Sequence, residues 1–383
     1  MIDRTLEILS DLIAFPTVSS DSNLDLIAYA EDVLGPAGAR LERVYDVTGD
    51  KASLWATFGP EGDGGLILSG HTDVVPVADQ PWTRPPFELT AEGEKLFGRG
   101  TCDMKGFIAC VLAMAPAFAN PKRPIHIALT YDEEVSCFGA VDLARHLWER
   151  GLRPEMALIG EPTNMAVVDG HKGCAEYKAI VTGLEGHGSR PDIGVNAGLI
   201  AAKLAVRLEE IAARLASRPN DNGFTPQWTT LNVGKLSAGT VANVIPGAAE
   251  LEWEMRPVAD GDVEAILEEL SAYAATLEPE MQSVAPETGI RIEEVGTFPP
   301  FLPVEPNPAR DLMLSLTGEN SAGLVSYCTE AGAFASLGLT AAICGPGSIL
   351  QAHKPDEYIY RSELVRCLEV LEKLASKVSH AAS

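Results

Sequence analysis

The sequence predicts an α/β protein: a mainly parallel sheet carries one domain, and a smaller βαββαβ domain is inserted into it. Three observations predict this. From Met1 to about Lys172, helical stretches alternate with short apolar strands, the pattern of βα units. After Gly173 the order changes to strand, helix, two strands, helix, strand, which is that of a ferredoxin-like sandwich. The 383 residues leave room for two such bodies. The expected division is 1–173 with 299–383 for the first domain and 174–298 for the insert.

Taken in order, Met1 to Ser19 sets Asp3, Arg4, Glu7 and Asp11 among apolar residues at helical spacing, without the basic and apolar regions of a secretory signal. Leu66-Ile67-Leu68 is a strand that runs into Ser69-Gly70-His71. The apolar run Phe107 to Ala119 is broken by Pro116 and falls short of the ~20 residues needed to span a bilayer. Pro124 to Tyr131 is a strand ending at Asp132-Glu133-Glu134, and Met156 to Ile159 is one ending at Gly160-Glu161. In the insert, strands are expected at Cys174–Thr182, Thr229–Leu236, Ala248–Arg256 and Ile290–Thr297, and helices at about Val195–Leu215 and Asp262–Leu277. Asn220-Asp221-Asn222-Gly223 reads as its exposed loop. The chain returns through Pro299-Pro300-Phe301 to a helix near Ala309–Leu316, a strand at Leu339–Cys344 and a last helix from Ser362 to Val378.

Composition removes several function classes. With 54 acidic and 29 basic side chains the net charge is −25, which argues against a nucleic-acid partner. No apolar segment is long enough for a membrane anchor. The seven cysteines form no CxxC pair, so neither a disulfide framework nor a cysteine zinc site is expected, and a reducing cytoplasm fits. No Gly-x-Ser-x-Gly elbow occurs, which removes the α/β-hydrolase reading.

What remains is a set of nitrogen and oxygen donors at strand ends. His71-x-Asp73 follows a buried-looking strand, where an imidazole can ligate a metal while the carboxylate orients it. Alone, such a histidine is more often structural. Asp103 lies in Gly98-Arg99-Gly100-Thr101-Cys102-Asp103-Met104-Lys105-Gly106, which is neither a dinucleotide fingerprint nor a P-loop, so Asp103 is a ligand or a helix cap. Glu133 and Glu134 are adjacent carboxylates that call for a compensating cation unless they are solvated loop acids. Glu161 before Pro162 and His353 in the loop Gly345 to Glu357 complete the set. Donors of this kind, with no thiolate, suit zinc, cobalt or manganese, and one bridging carboxylate would let them hold two ions. Of the other histidines, His126 falls in a strand, His146 on a helix and His380 in the tail, while His171 has no assigned role.

Ser69-Gly70-His71-Thr72-Asp73-Val74-Val75-Pro76 and the Gly98 to Gly106 segment resemble the two signatures of the M20 metallopeptidases and deacylases, with Asp-Glu-Glu and Gly-Glu-Pro-Thr following in the family's order. The resemblance runs over essentially the whole chain. It implies a catalytic domain of zinc-peptidase type with an inserted lid and dimerisation domain, and two divalent ions, zinc before cobalt or manganese. Asp103 would bridge, His71 and Glu161 would hold one ion, and Glu134 and His353 the other. Asp73 would stand behind His71, and Glu133 would be the general base that takes a proton from the attacking water and gives it to the leaving amine. In the insert, His187 resembles the histidine that reaches a partner subunit's site, which implies a homodimer. Asn243 and Arg256 resemble the residues that grip the substrate's carboxylate.

Within the family the resemblance is nearest to the enzymes that free ornithine from N2-acetyl-L-ornithine, a step of arginine biosynthesis. The loop Ser326-Tyr327-Cys328-Thr329-Glu330-Ala331-Gly332 carries an acid that would suit a cationic substrate side chain, so Glu330 is expected to select the substrate. Succinyl-diaminopimelate or another N-acyl amino acid or peptide is the alternative. A non-catalytic binding protein would require loss of a ligand or of the base, and all six residues are present.

Overall fold

The computed structural model describes residues 1–218, 221–259 and 261–379; Asn220 of the expected loop and His380 of the tail lie outside them. In chain order the elements begin with helices α1 (Ile2–Ala14) and α2 (Leu24–Leu34), then strands β1 (Arg40–Tyr45), β2 (Ala52–Phe58), β3 (Leu66–His71), β4 (Thr90–Glu92) and β5 (Lys95–Phe97). Helix α3 (Lys105–Ala113), β6 (Ile125–Thr130), the single turn α4 (Glu133–Ser136), α5 (Phe138–Glu149), β7 (Met156–Pro162) and β8 (Val168–His171) follow. The middle of the chain holds β9 (Cys174–Thr182), β10 (Gly186–His187), α6 (Ala197–Ala216), β11 (Thr230–Ala238), β12 (Val244–Ile245), β13 (Ala248–Arg256), α7 (Asp262–Val284) and β14 (Gly289–Phe298). The last part runs α8 (Pro308–Thr317), β15 (Gly323–Val325), α9 (Ala331–Ala335), β16 (Thr340–Gly345), β17 (Tyr358–Tyr360) and α10 (Arg361–Ser379).

Two compact units result. One comprises Met1–Gly170, Pro303–Leu324 and Thr329–Ser383, and the other His171–Leu302 with Val325–Cys328. The second therefore begins three residues before the expected start, and it also takes the short segment Val325–Cys328 from the loop assigned to the first domain.

The first unit is built on an eight-stranded sheet of order β1-β2-β6-β3-β7-β16-β8-β15. Its four central strands β6, β3, β7 and β16 run parallel, while β1, β2 and β8 pair antiparallel at the flanks. Strands buried on both faces read as continuous apolar runs, as β2 and β6 do. Helix α3 is buried along its whole length, whereas α1 buries one face through Thr5, Ile8, Leu9, Leu12 and Ile13 at helical spacing. The C-terminal helix α10 closes the same core with Leu364, Leu368, Leu371 and Leu374. A small sheet of order β17-β5-β4, not expected from the sequence, pairs Tyr358 with Phe97 and so brings the chain after His353 alongside the Gly98 to Asp103 loop.

The second unit is a four-stranded antiparallel sheet of order β11-β13-β9-β14 with α6 and α7 on one face. The two central strands bury alternate residues: Ala175, Tyr177, Ala179 and Val181 of β9 and Leu251, Trp253 and Met255 of β13 pack with the helices. Asn196 caps α6 by accepting the N–H of Leu199 at 3.1 Å. Helix α7 runs seven residues past the expected end at Leu277, through Pro279, and buries Met281 against the sheet. Among the described residues, no helix is long and apolar enough to cross a membrane.

Candidate metal centre

The strand order accounts for the site. In an open α/β sheet, functional groups gather beyond the carboxyl ends of the strands. Here the neighbouring strands β6, β3, β7 and β16 deliver, in that spatial order, Glu133 and Glu134, His71, Glu161, and the loop to His353. Asp103 comes from the irregular segment between β5 and α3, and its peptide bond to Met104 is cis.

Two groups of donors form around Asp103. In one, His71 Nε2 lies 3.0 Å from Asp103 Oδ1 and 3.7 Å from Glu161 Oε1. In the other, His353 Nε2 lies 3.4 Å from Asp103 Oδ2 and 2.8 Å from Glu134 Oε2. The ligand atoms of each group all fall within 4.8 Å of one another, and Asp103 is common to both. His71, Asp103 and Glu161 are buried, while the side chain of His353 is 55% exposed, so one end of the centre faces solvent.

Local backbone and supporting side chains set these positions. His71 Nδ1 lies 3.0 Å from the main-chain oxygen of Asp73 and 3.6 Å from its Oδ1, an arrangement that favours the proton on Nδ1 and leaves Nε2 to ligate. The Asp73 carboxylate also accepts Ser19 Oγ at 2.6 Å, the N–H of Glu133 at 3.1 Å and that of Glu134 at 3.3 Å. It thus holds α4, whose two ends, Asp132 and Cys137, are both in the left-handed region at φ 57° and 49°. Non-glycine residues accept that conformation only where surrounding contacts demand it. For Asp132 the contact is an ion pair with Lys51 at 2.6 Å. The Cys137 thiol lies 3.7 Å from Glu133 Oε1. His353 is also left-handed, at φ 61°.

The charge balance shows what the cluster requires. Burial opposes charging of His71, yet the carboxylates of Asp103 and Asp73 carry its pKa well above the usual imidazole value. Hydrogen bonds to Asp103 and Glu134 raise His353 to about 10. Burial and repulsion from Asp103 push Glu134 up to about 7 and Glu161 well above the carboxylate range. Asp103 itself stays low despite burial, because both imidazoles bond to it. A cluster that draws protons onto two imidazoles and two carboxylates is short of positive charge. Glu161 Oε1 is moreover buried with no hydrogen-bond partner, an orphaned acceptor aimed at His71. Both observations, and a donor set of two imidazoles and three carboxylates, fit a pair of divalent cations.

Glu330 corrects the sequence reading. It is 0% exposed, and its carboxylate accepts Ser69 Oγ at 2.7 Å and the Thr130 hydroxyl. With both oxygens engaged between β3 and β6, it braces the strands that carry His71 and α4 and is not presented to a substrate side chain. Its position after Thr329, in a loop of small polar residues, resembles a surface loop, and only the pairing of Ser69 and Thr130 strands reveals the burial.

In the second unit, His187 and Asn243 are exposed and adjacent: β10 pairs with β12, and Gly188 N–H bonds to the Asn243 main-chain oxygen at 2.7 Å. Arg256 ends β13, beside Glu254 at 2.7 Å and Cys328 Sγ at 3.4 Å. At ~3.3 Å per residue, the nine residues of β13 separate its two ends by about 26 Å. Arg256 is the last residue of β13, and Asn243 lies five residues before its first. A third group of donors, Cys174, Glu176 and Glu254, already has the Arg256 guanidinium on Glu254.

The sequence reading assigned no role to Glu357, Arg99, Lys51 or Ser19. Glu357 and Arg99 are each about 1% exposed and paired at 2.8 Å, and they tie the Asp103 segment to the loop that bears His353.

Comparison with known proteins agrees with this geometry. Residues 67–377 match the model of Peptidase family M20/M25/M40. The chain is 36% identical over 378 residues to an acetylornithine deacetylase of Myxococcus xanthus, with 95% of each chain covered. It is 38% identical over 371 residues to an acetylornithine deacetylase of Yersinia pseudotuberculosis, with 92% of each covered. Its fold matches an M20 family metallo-carboxypeptidase, Sso-CP2 of Sulfolobus solfataricus, with a TM-score of 0.74 at 17% identity, over 97% of this chain and 98% of that one.

Proposed function

The chain belongs to the M20/M25/M40 peptidase family and is a metallohydrolase acting on amides, and on that premise we propose that it removes the acetyl group from N2-acetyl-L-ornithine to give L-ornithine and acetate. The observation that carries the hydrolytic reading is the pair of donor groups sharing Asp103, with Glu133 on the same one-turn helix as Glu134. The choice of substrate is supported by two relatives named for that activity, at 36% and 38% identity over more than nine tenths of the chain. In that role the protein would supply ornithine to arginine biosynthesis.

His71, Asp103 and Glu161 would hold one cation and Asp103, Glu134 and His353 the other. Zinc is the first expectation, with cobalt or manganese as substitutes. Bound there, the cations would supply Lewis-acid polarisation of the amide carbonyl and a more acidic water. Glu133 accepts a proton as the water oxygen adds to the carbonyl carbon. It returns that proton to the nitrogen as the C–N bond breaks, and the amine and acetate leave. Asp73 keeps Glu133 and His71 in register by bonding to both. Arg256 offers a planar guanidinium for the substrate's carboxylate. His187 and Asn243, at the far end of β13 from Arg256, would serve the site of a second copy in a homodimer.

The test is release of free amine from N2-acetylornithine, N-succinyl-diaminopimelate and N-acetylmethionine, with and without added zinc or cobalt. Metal-dependent preference for acetylornithine supports the proposal; faster turnover of another substrate replaces the assignment, and no turnover with any metal ends the hydrolase reading. The burial of Glu330 favours one alternative, a broader N-acyl-amino-acid hydrolase, because it removes the acid expected to select a cationic side chain.

A further inference from the structure

Residues 98–103 form an irregular segment without a strand or helix to hold it. Gly98 and Gly100 have φ of 155° and 86°, and a Cβ at Gly100 would come within 2.9 Å of Val74. Its main-chain N–H groups converge on one side chain. Glu357 Oε2 accepts Arg99 Nη1 at 2.8 Å and the N–H of Gly100 at 3.0 Å, and Oε1 accepts the N–H of Cys102 at 2.8 Å and of Asp103 at 3.1 Å. Four donors fill the carboxylate's acceptor sites. Gly98 N–H bonds to the Glu357 main-chain oxygen at 3.0 Å, extending the β5·β17 ladder.

The same network reaches His353. Arg99 donates to the Lys354 main-chain oxygen at 3.3 Å and to Gln80 Oε1 at 2.6 Å, and Gln80 Nε2 donates to the main-chain oxygen of His353 at 3.1 Å. The other donors are supported differently: His71 and Glu161 lie on central strands, and Glu134 on the turn held by Asp73.

We propose that Glu357 is a positioning residue that sets the second cation site, by fixing both the main chain that presents Asp103 and the loop that presents His353. The inference rests on the two-cation reading above. Replacement of Glu357 by Gln turns one oxygen into an N–H donor that faces other donors, either Arg99 and Gly100 or Cys102 and Asp103. Release of the segment loosens the site that takes two of its three donors from this network, more than the site that takes one.

Stepwise titration with Co2+, followed by visible absorption and bound-metal analysis, tests this. The wild type should take up two ions. In Glu357→Gln the first should bind within about threefold of wild type, and the second about 10–100-fold more weakly with an altered spectrum. Gln80→Leu, at a half-exposed position, should shift the second ion in the same direction by a smaller factor, and it decides the matter if Glu357→Gln does not fold. Two ions bound as in wild type in the folded variants, or equal weakening of both ions, overturns the proposal. A wild type that takes up fewer than two ions overturns the two-cation reading itself, and this inference with it.

Discussion

The Asp73 carboxylate receives the main-chain N–H of Glu133 at 3.1 Å, so the group behind the His71 imidazole also fixes the helix that carries Glu133. In Asp73→Asn an amide NH2 must face one of the donors that Asp73 now accepts, Ser19 or the N–H groups of Glu133 and Glu134. The expected result is a 10–100-fold fall in kcat with weaker binding of the His71-side ion, read by steady-state kinetics and Co2+ titration.

Glu133→Gln removes the proposed proton acceptor and keeps the shape. A fall in kcat of about 10^2 to 10^4 is expected, with KM and bound metal little changed. Retention of more than a tenth of the activity would assign the base elsewhere.

Glu330→Ala should act on stability and not on choice of substrate. The buried hydroxyls of Ser69 and Thr130 lose their acceptor, a cost on the order of 3 kcal/mol. Urea unfolding should show that loss, while the ratio of kcat/KM for N2-acetylornithine and N-acetylmethionine stays within about twofold of wild type. A collapse of that ratio in the folded variant would return Glu330 to the substrate.

His126 gives the fold a pH dependence of known sign. Its ring is buried, stacked on Trp55 at 4.4 Å and bonded to Thr57 at 2.9 Å, and burial lowers its pKa to about 4. As pH falls below about 6.5 the unfolded chain takes up a proton that the folded ring refuses until about pH 4, so stability is lost across that window. The loss at this residue between pH 7 and pH 5 should be about 2 kcal/mol. Urea unfolding of wild type and His126→Gln at both pH values checks it, because the variant lacks that contribution.

The proposed homodimer, in which Asn243 serves the second copy's site and Arg256 its own, predicts complementation between subunits. Arg256→Ala and Asn243→Ala homodimers should each be nearly inactive. Unfolded together and refolded, they should recover about a quarter of wild-type activity, since half of the dimers hold one intact site of two. No recovery would mean that both residues serve the same chain's site.

Much of this was legible in the sequence, for a physical reason. His71, Glu133, Glu134 and Glu161 follow strands buried on both faces, which show themselves as apolar runs ending abruptly in polar groups. Strands β9 and β13 were equally plain, because one face of each packs on helices and the other does not, and alternation records it. The order of strands in the sheet was not legible, although it brings the endings together. Nor were the roles of Glu357 and Glu330, two acids whose meaning depends on what long-range pairing sets beside them: Gly100 and Cys102 for one, Ser69 and Thr130 for the other. The overlong α7 shows the limit of local signals, since Pro279 marks a helix end in isolation and the burial of Met281 overrides it.

The insertion of one unit within another also orders events in time. Chain synthesis completes His71, Asp103 and Glu161 before the second unit begins at His171, but His353 follows Glu161 by 353 − 161 = 192 residues. At about 5–20 residues per second, the donors proposed for the first cation exist on the order of ten to forty seconds before the last donor proposed for the second leaves the ribosome. Glu357, which steadies Asp103, comes later still. The growing chain thus carries one donor group without the other for about half of its synthesis, until the segment that bears His353 and Glu357 completes the pair.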